Sequence, residues 1–221
     1  MADRLRSETV VVIGLGRFGT AVATELQTIG HEVLGIDLDE SLVQSSSGEL
    51  DFVVQADATD PAVLRQLGVE SVQHAVVAIG DAIQASILAT AALTDLAIPD
   101  IWAKAQTAQH ARILERVGAH HVVFPERDMG ERIAHRVTGT MIEYFEIDEH
   151  FALVEVRVPG RYAGRTLLDS GIRGDYGVNV VGIRPEGGRF GHVEAGTVLG
   201  DRDVLLVSGD VRQVERFAAQ S

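Results

Sequence analysis

The order of apolar runs and helical patterns over residues 9–124 predicts an α/β protein built on a doubly wound parallel sheet. Three observations carry this reading. Six short apolar runs are separated by segments with helical spacing, a glycine-rich turn joins the first run to the first helix, and the pattern changes after Phe124.

Thr9–Ile13 is a β-branched run suited to a strand buried on both faces. Phe18, Val22, Leu26 and Ile29 recur at helical spacing, and Gly30 reads as the C-terminal stop. His31–Ile36 is a second strand, Glu40–Ser46 a short helix and Phe52–Gln55 a third strand. Pro61–Leu67 forms a helix capped by Asp60. Ala75–Ile79, Ile101–Ala105 and His121–Phe124 complete the strands, with helices over Ile83–Leu96 and Ala108–Val117 between them. Right-handed crossovers and the Rossmann-type strand order 3-2-1-4-5-6 follow as the natural topology.

After Phe124 the spacing of Ile133, Val137, Met141 and Tyr144 predicts one long connecting helix over residues 126–145. The polar stretch Glu146–His150 marks a boundary, giving domains 1–145 and 146–221. Phe151–Val158, Asn179–Arg184 and Asp203–Ser208 read as strands and Val211–Ala219 as a terminal helix, so the second part is a small α+β domain.

Composition bounds the function. The 221 residues carry 46% hydrophobic residues, enough for a packed core, and a formal net charge of −13. So acidic a chain disfavours nucleic acid as a partner and direct docking on anionic lipid. There is no cysteine, which excludes a disulfide framework, a thiol nucleophile and a thiolate zinc site. Met1–Ser7 lacks the apolar core of a signal peptide, and no apolar run approaches the roughly 20 residues of a membrane helix. A soluble protein is expected, with any membrane role exerted through a partner.

The chemistry-bearing residues cluster where the sheet's carboxyl edge should lie. Gly14, Gly16 and Gly19 form G-x-G-x-x-G between a strand and a helix, the context in which that pattern binds a dinucleotide or nucleotide. Gly14 permits the tight turn, Gly16 lets a phosphate approach the backbone, and Gly19 lets helix and strand pack closely. The helix start then offers free N–H groups to phosphate. Asp37 ends the second strand, where an acid accepts both ribose hydroxyls and repels a 2′-phosphate. Asp57 and Ala58 follow the third strand, either at the adenine end or in an ordinary turn. Arg17 lies in the turn, facing phosphates or solvent. Lys104, closing an apolar strand, needs an anion or water. Glu126 and Asp128 open the helix after Pro125, where acids are favoured in any case. His120, His121, His135, His150 and His192 form no ligand set, and no nucleophile elbow or acid–base pair is visible.

Several motifs together resemble the RCK-domain regulatory subunits of bacterial Ktr and Trk potassium-uptake systems. They are the run from Val11 to Gly19 with Phe18 in its turn, Asp57–Pro61, Trp102–Gln106, Val117–Ala119, Pro125–Gly130 and, in the C-terminal part, Ile172–Asn179. One Rossmann-type and one C-terminal domain match the Ktr form. The resemblance implies that ATP, ADP or NAD(H) binds Gly14, Gly16, Arg17, Phe18, Gly19, Asp37, Asp57, Ala58 and Lys104, with Arg17 on the terminal phosphate. It implies that Glu126 helps to hold Mg2+ or Ca2+ at a dimer interface, and that Arg173 and Asn179 match a cyclic di-AMP site in type and spacing. It also implies dimers that build an octameric ring beneath an integral-membrane potassium transporter, hence a cytoplasmic protein at the inner face of the membrane, and no enzymatic turnover. The competing expectation is an NAD-dependent oxidoreductase, which needs a proton-transfer group near the nicotinamide.

Overall fold

The computed structural model describes residues 9–137 and 141–220. The signal-peptide reading of Met1–Ser7 therefore falls outside the described residues. By their own contacts the residues separate into two units, Met1–Pro125 and Glu126–Ser221.

The first unit alternates strand and helix throughout. In chain order it contains β1 (Val10–Ile13), α1 (Arg17–Thr28), β2 (Val33–Asp37), α2 (Glu40–Ser46), β3 (Phe52–Gln55) and α3 (Pro61–Gln66). It continues with β4 (His74–Val77), α4 (Ile83–Asp95), β5 (Asp100–Lys104), α5 (Ala108–Val117) and β6 (His121–Val123). The strands pair in parallel in the order β3-β2-β1-β4-β5-β6, as the alternation requires. Each face of the sheet has its own core. Val11, Ile13, Ile36, Val77 and Ile101 pack with Leu64, Ala89, Leu93 and Leu114 of α3, α4 and α5. Val12, Leu15, Ala23, Val33 and Leu50 form the core on the other face. Because β1 is buried on both sides, all four of its residues are apolar.

The second unit opens with α6 (Pro125–Val137), followed by β7 (Glu143–Asp148) and β8 (Phe151–Arg157). Then come α7 (Leu167–Ser170), α8 (Ile172–Tyr176), β9 (Asn179–Arg184), β10 (Val204–Asp210) and α9 (Val211–Ala218). The sheet is antiparallel, in the order β7-β8-β10-β9. Its core gathers Tyr144, Val154, Val156, Ile172, Val178, Leu205, Val207 and Phe217. The Asp210 carboxylate accepts from Arg212 N–H at 3.0 Å and caps α9, which buries Val214, Phe217 and Ala218.

Two expectations are corrected. A single helix over residues 126–145 does not form: the described helix α6 spans Pro125–Val137, and Glu143–Asp148 is an edge strand paired with β8. The helical stripe is therefore only half real. Met129 and Ile133, each 49% exposed, and Val137, 78% exposed, lie on a helix with no fully buried residue, whereas Met141 and Tyr144 sink into the C-terminal core. The polar stretch Glu146–His150 is the end of β7 and its turn into β8, not a boundary. The domain boundary moves with it, since the contacts divide the chain after Pro125 and place residues 126–145 in the second unit.

Candidate nucleotide-binding turn

The glycine turn follows from three different steric demands. Gly14 takes φ 95°, and a Cβ there would lie 3.0 Å from the backbone of Ala78 and Ile79. At Gly19 a Cβ would sit 1.8 Å from the carbonyl oxygen of Gly14, so helix and turn can touch only without a side chain. Gly16 differs from both, because its φ of −68° suits any residue and nothing lies within 4 Å of an added Cβ. The open side of the turn is therefore at Gly16, where a phosphate would approach.

Helix α1 is left uncapped there. No side chain accepts its first N–H groups, and its first turn contains no acid. The unsatisfied amides and the positive end of the helix dipole together favour an anion. Arg17 is exposed at the same end and has no ion pair among the described residues.

Asp37 closes β2 as expected and has a second task that sequence reasoning missed. Its Oδ2 accepts the Leu15 N–H at 2.6 Å and its Oδ1 accepts the Asp39 N–H at 2.9 Å. The carboxylate thus ties the end of β2 to the glycine turn. Each oxygen keeps a lone pair for a ribose hydroxyl. Asp57 folds an Asx turn, accepting both N–H and hydroxyl of Thr59 at 2.9 and 2.7 Å. Those two bonds hold its carboxyl below the usual range. Ala58 beside it is buried and faces the core, so it shapes the floor of the edge.

Lys104 is 8% exposed at the end of β5, with its ammonium 5.7 Å from the centroid of the Phe18 ring. It also reaches Gly80, where a Cβ would stand 3.3 Å from its Nζ. Gln106 Nε2 donates to Asp81 Oδ1 at 3.3 Å and links the loops after β4 and β5. Gly14, Gly16, Arg17, Phe18, Gly19, Asp37 and Lys104 thereby share one edge of the sheet, with Asp57 and Ala58 at the end of β3.

Three further expected residues lie in the second unit. Glu126 is exposed in the first turn of α6. Among the described residues no three His, Asp or Glu side chains converge to hold a metal ion. Arg173 and Asn179 do share a cleft of about 420 Å³ in the C-terminal unit, together with Leu168 and Ile172. Several histidines have structural partners. His120 Nδ1 accepts Ile101 N–H at 3.0 Å, and His121 stacks on Trp102 with 4.1 Å between ring centroids. Asp100 joins His74 at 2.9 Å and His121 at 3.3 Å across three strands, a pairing with no signal in linear sequence.

The chain matches the model of the TrkA-N domain over residues 10–125 and that of the TrkA-C domain over residues 152–220. It is 42% identical to the Ktr system potassium uptake protein C of Bacillus subtilis over 207 residues, 93% of this chain and 94% of that protein. It is 33% identical to the Ktr system potassium uptake protein A of the same organism over 97% of each chain. Among solved structures, the GsuK channel bound to NAD superposes with a TM-score of 0.66 at 20% identity, covering 99% of this chain and 40% of that one. This last likeness is one of fold. The domain matches and the full-length relatives agree with the turn just described: the chain belongs to the RCK family of Ktr- and Trk-type potassium-uptake proteins, as one TrkA-N domain followed by one TrkA-C domain.

Proposed function

We propose that this chain is the nucleotide-sensing regulatory subunit of a membrane potassium transporter, acting from the cytoplasmic side as a homo-oligomeric ring. The observation that carries the reading is the uncapped start of α1 beside Asp37, an anion site and a ribose acceptor on one sheet edge. Relatives named for potassium uptake match it over nearly their whole length. The ligand is an adenine nucleotide, ATP or ADP, with NAD(H) as the dinucleotide alternative. Arg17 meets the terminal phosphate, and Lys104 supplies a second cation across the turn. The ligand acts by preferring one subunit arrangement over another, since only differential affinity can shift such an equilibrium.

Glu126, exposed in the first turn of α6, contributes one carboxylate to a Mg2+ or Ca2+ site that a second subunit completes. The cleft with Arg173 and Asn179 offers a guanidinium, an amide and apolar walls, a set that suits the phosphates and bases of cyclic di-AMP. Binding without turnover is the behaviour expected of such a regulatory subunit.

Calorimetry with ATP, ADP, NADH and cyclic di-AMP tests the ligand assignment, and scattering with ATP or ADP bound tests the ring. Tight nucleotide binding with a profile that differs between ATP and ADP supports the proposal. Monomeric protein, or identical profiles in both states, overturns it. Substrate-dependent consumption of NADH favours an oxidoreductase instead.

A further inference from the structure

We propose that His110 is a positioning residue for the nucleotide edge, and that a proton taken up by its ring releases that edge, so that acidification weakens nucleotide binding. The proposal rests on the reading of the first unit as a nucleotide-binding domain and adds a buried proton sensor to it.

His110 stands in the first turn of α5 and is 2% exposed. Its backbone N–H donates to the Thr107 cap at 3.1 Å, and its ring Nδ1 accepts the Gln106 N–H at 3.4 Å. That acceptor role fixes the tautomer, with Nδ1 bare and the proton on Nε2. Nε2 is buried and has no hydrogen-bond partner among the described residues. Buried polar groups are nearly always satisfied, so an orphaned ring nitrogen in a closed core calls for a role.

The residue that the ring holds belongs to the ligand edge. Gln106 follows Lys104 by two positions, and its side-chain Nε2 donates to Asp81 Oδ1 at 3.3 Å, tying the loop after β5 to the loop after β4. Lys104 in turn stands against Gly80 and the Phe18 ring of the glycine turn. One short run of contacts thus leads from a buried imidazole to the cation of the binding edge.

A second proton breaks this arrangement. An imidazolium carries N–H on both nitrogens, so Nδ1 can no longer accept and two donors face each other. The new charge also finds no counter-ion bonded to the ring among the described residues. On the neighbouring elements, Asp81 is exposed and bonds Gln106, Asp95 closes the far end of α4, and Asp100 opens β5 at the opposite edge. Arg112, Glu115 and Arg116 on α5, His120 after it and His121 on β6 are exposed, and Lys104 has the same sign as the imidazolium. Burial is what lowers the pKa of the ring. The ring therefore charges in an arrangement where the first turn of α5 opens to water, and that opening frees Gln106 and its tie to Asp81. Nucleotide prefers the closed edge and the proton the open one, so each weakens the other by the same factor.

The full-length protein is titrated with ATP by calorimetry at pH 7.5 and 5.5. Wild-type affinity should fall about threefold to tenfold more across this range than that of His110→Gln, since release of ATP takes up one proton in the first protein and not in the second. Glutamine keeps an acceptor for the Gln106 N–H and cannot ionise. Titration of the ATP phosphates and of the other seven of the eight histidines is common to both proteins and cancels. Ring resonances of the wild type decide the matter even if the variant fails to fold. One histidine should titrate below 6.5 in the free protein and lower still with ATP bound. Equal pH dependence in the two proteins, or a buried histidine that titrates alike with and without ATP, overturns the proton coupling and leaves the nucleotide site standing. No ATP binding at pH 7.5 overturns the site, and the coupling with it.

Discussion

Gly16→Ala separates binding from folding at the nucleotide turn. Its backbone, with φ −68°, accepts alanine without strain, and nothing lies within 4 Å of the added methyl. Alanine is a poorer helix cap than glycine, but it also narrows the unfolded ensemble, and these effects of about 0.5–1 kcal/mol oppose each other. Stability should therefore change little. The methyl fills the open side of the turn, the side by which a phosphate would reach the amides of α1. Losing one amide-to-phosphate hydrogen bond costs about 1.5–3 kcal/mol, so ATP affinity should fall about tenfold to a hundredfold. Gly19→Ala provides the contrast. Its Cβ would stand 1.8 Å from the Gly14 carbonyl oxygen, so backbone must move. Overpacking of that kind costs about 1–3 kcal/mol or more, which lowers the melting temperature by several degrees. Thermal unfolding and calorimetry on the two variants check both halves. If Gly16→Ala binds ATP as the wild type does, or if Gly19→Ala melts unchanged, the steric reasoning about the turn is wrong.

Asp37→Ala should weaken every adenine nucleotide tenfold or more, since about 1.5–3 kcal/mol attaches to each hydrogen bond with a charged group. It should also speed amide exchange at Leu15, which loses its acceptor; slow exchange there would refute the tie between β2 and the turn. Arg17→Ala should reduce ATP affinity more than ADP affinity, because a guanidinium on the turn gains most from the extra terminal charge. Equal losses in calorimetry would assign Arg17 to the inner phosphates or to packing. Burial lowers the pKa of His110 from its usual 6.5, so the folded state favours the neutral ring. Its contribution to stability is complete above pH 6.5 and is lost as pH falls through the lowered value. Denaturant unfolding at pH 7.5 and 5.5 should show a larger drop for the wild type than for His110→Gln, and equal drops would sink the assignment.

Sequence alone determined the first unit almost completely. Its strands are β-branched and apolar because both faces of a parallel sheet are covered, so they announce themselves without any partner. The alternation with helices then leaves the order β3-β2-β1-β4-β5-β6 as the natural topology. The glycine turn and Asp37 were legible for a similar reason, since each answers a backbone or charge requirement within a few residues. What remained hidden depended on neighbours distant in sequence. Residues 143–148 continue the spacing of α6, and an edge strand of the sequence Glu-Tyr-Phe-Glu-Ile-Asp has no periodicity that rules out a helix. Only pairing with β8 and the burial of Tyr144 in the C-terminal core made that segment a strand. Helices α7 and α8, of 4 and 5 residues, are too short for any hydrophobic period to show. The same holds for function. The bond from Leu15 to Asp37 spans 22 positions, and the pairing of Asp100 with His74 and His121 joins three strands. Local sequence specifies propensity and turn chemistry, whereas the convergence of charged groups from separate strands is decided by packing, which no window of the chain contains.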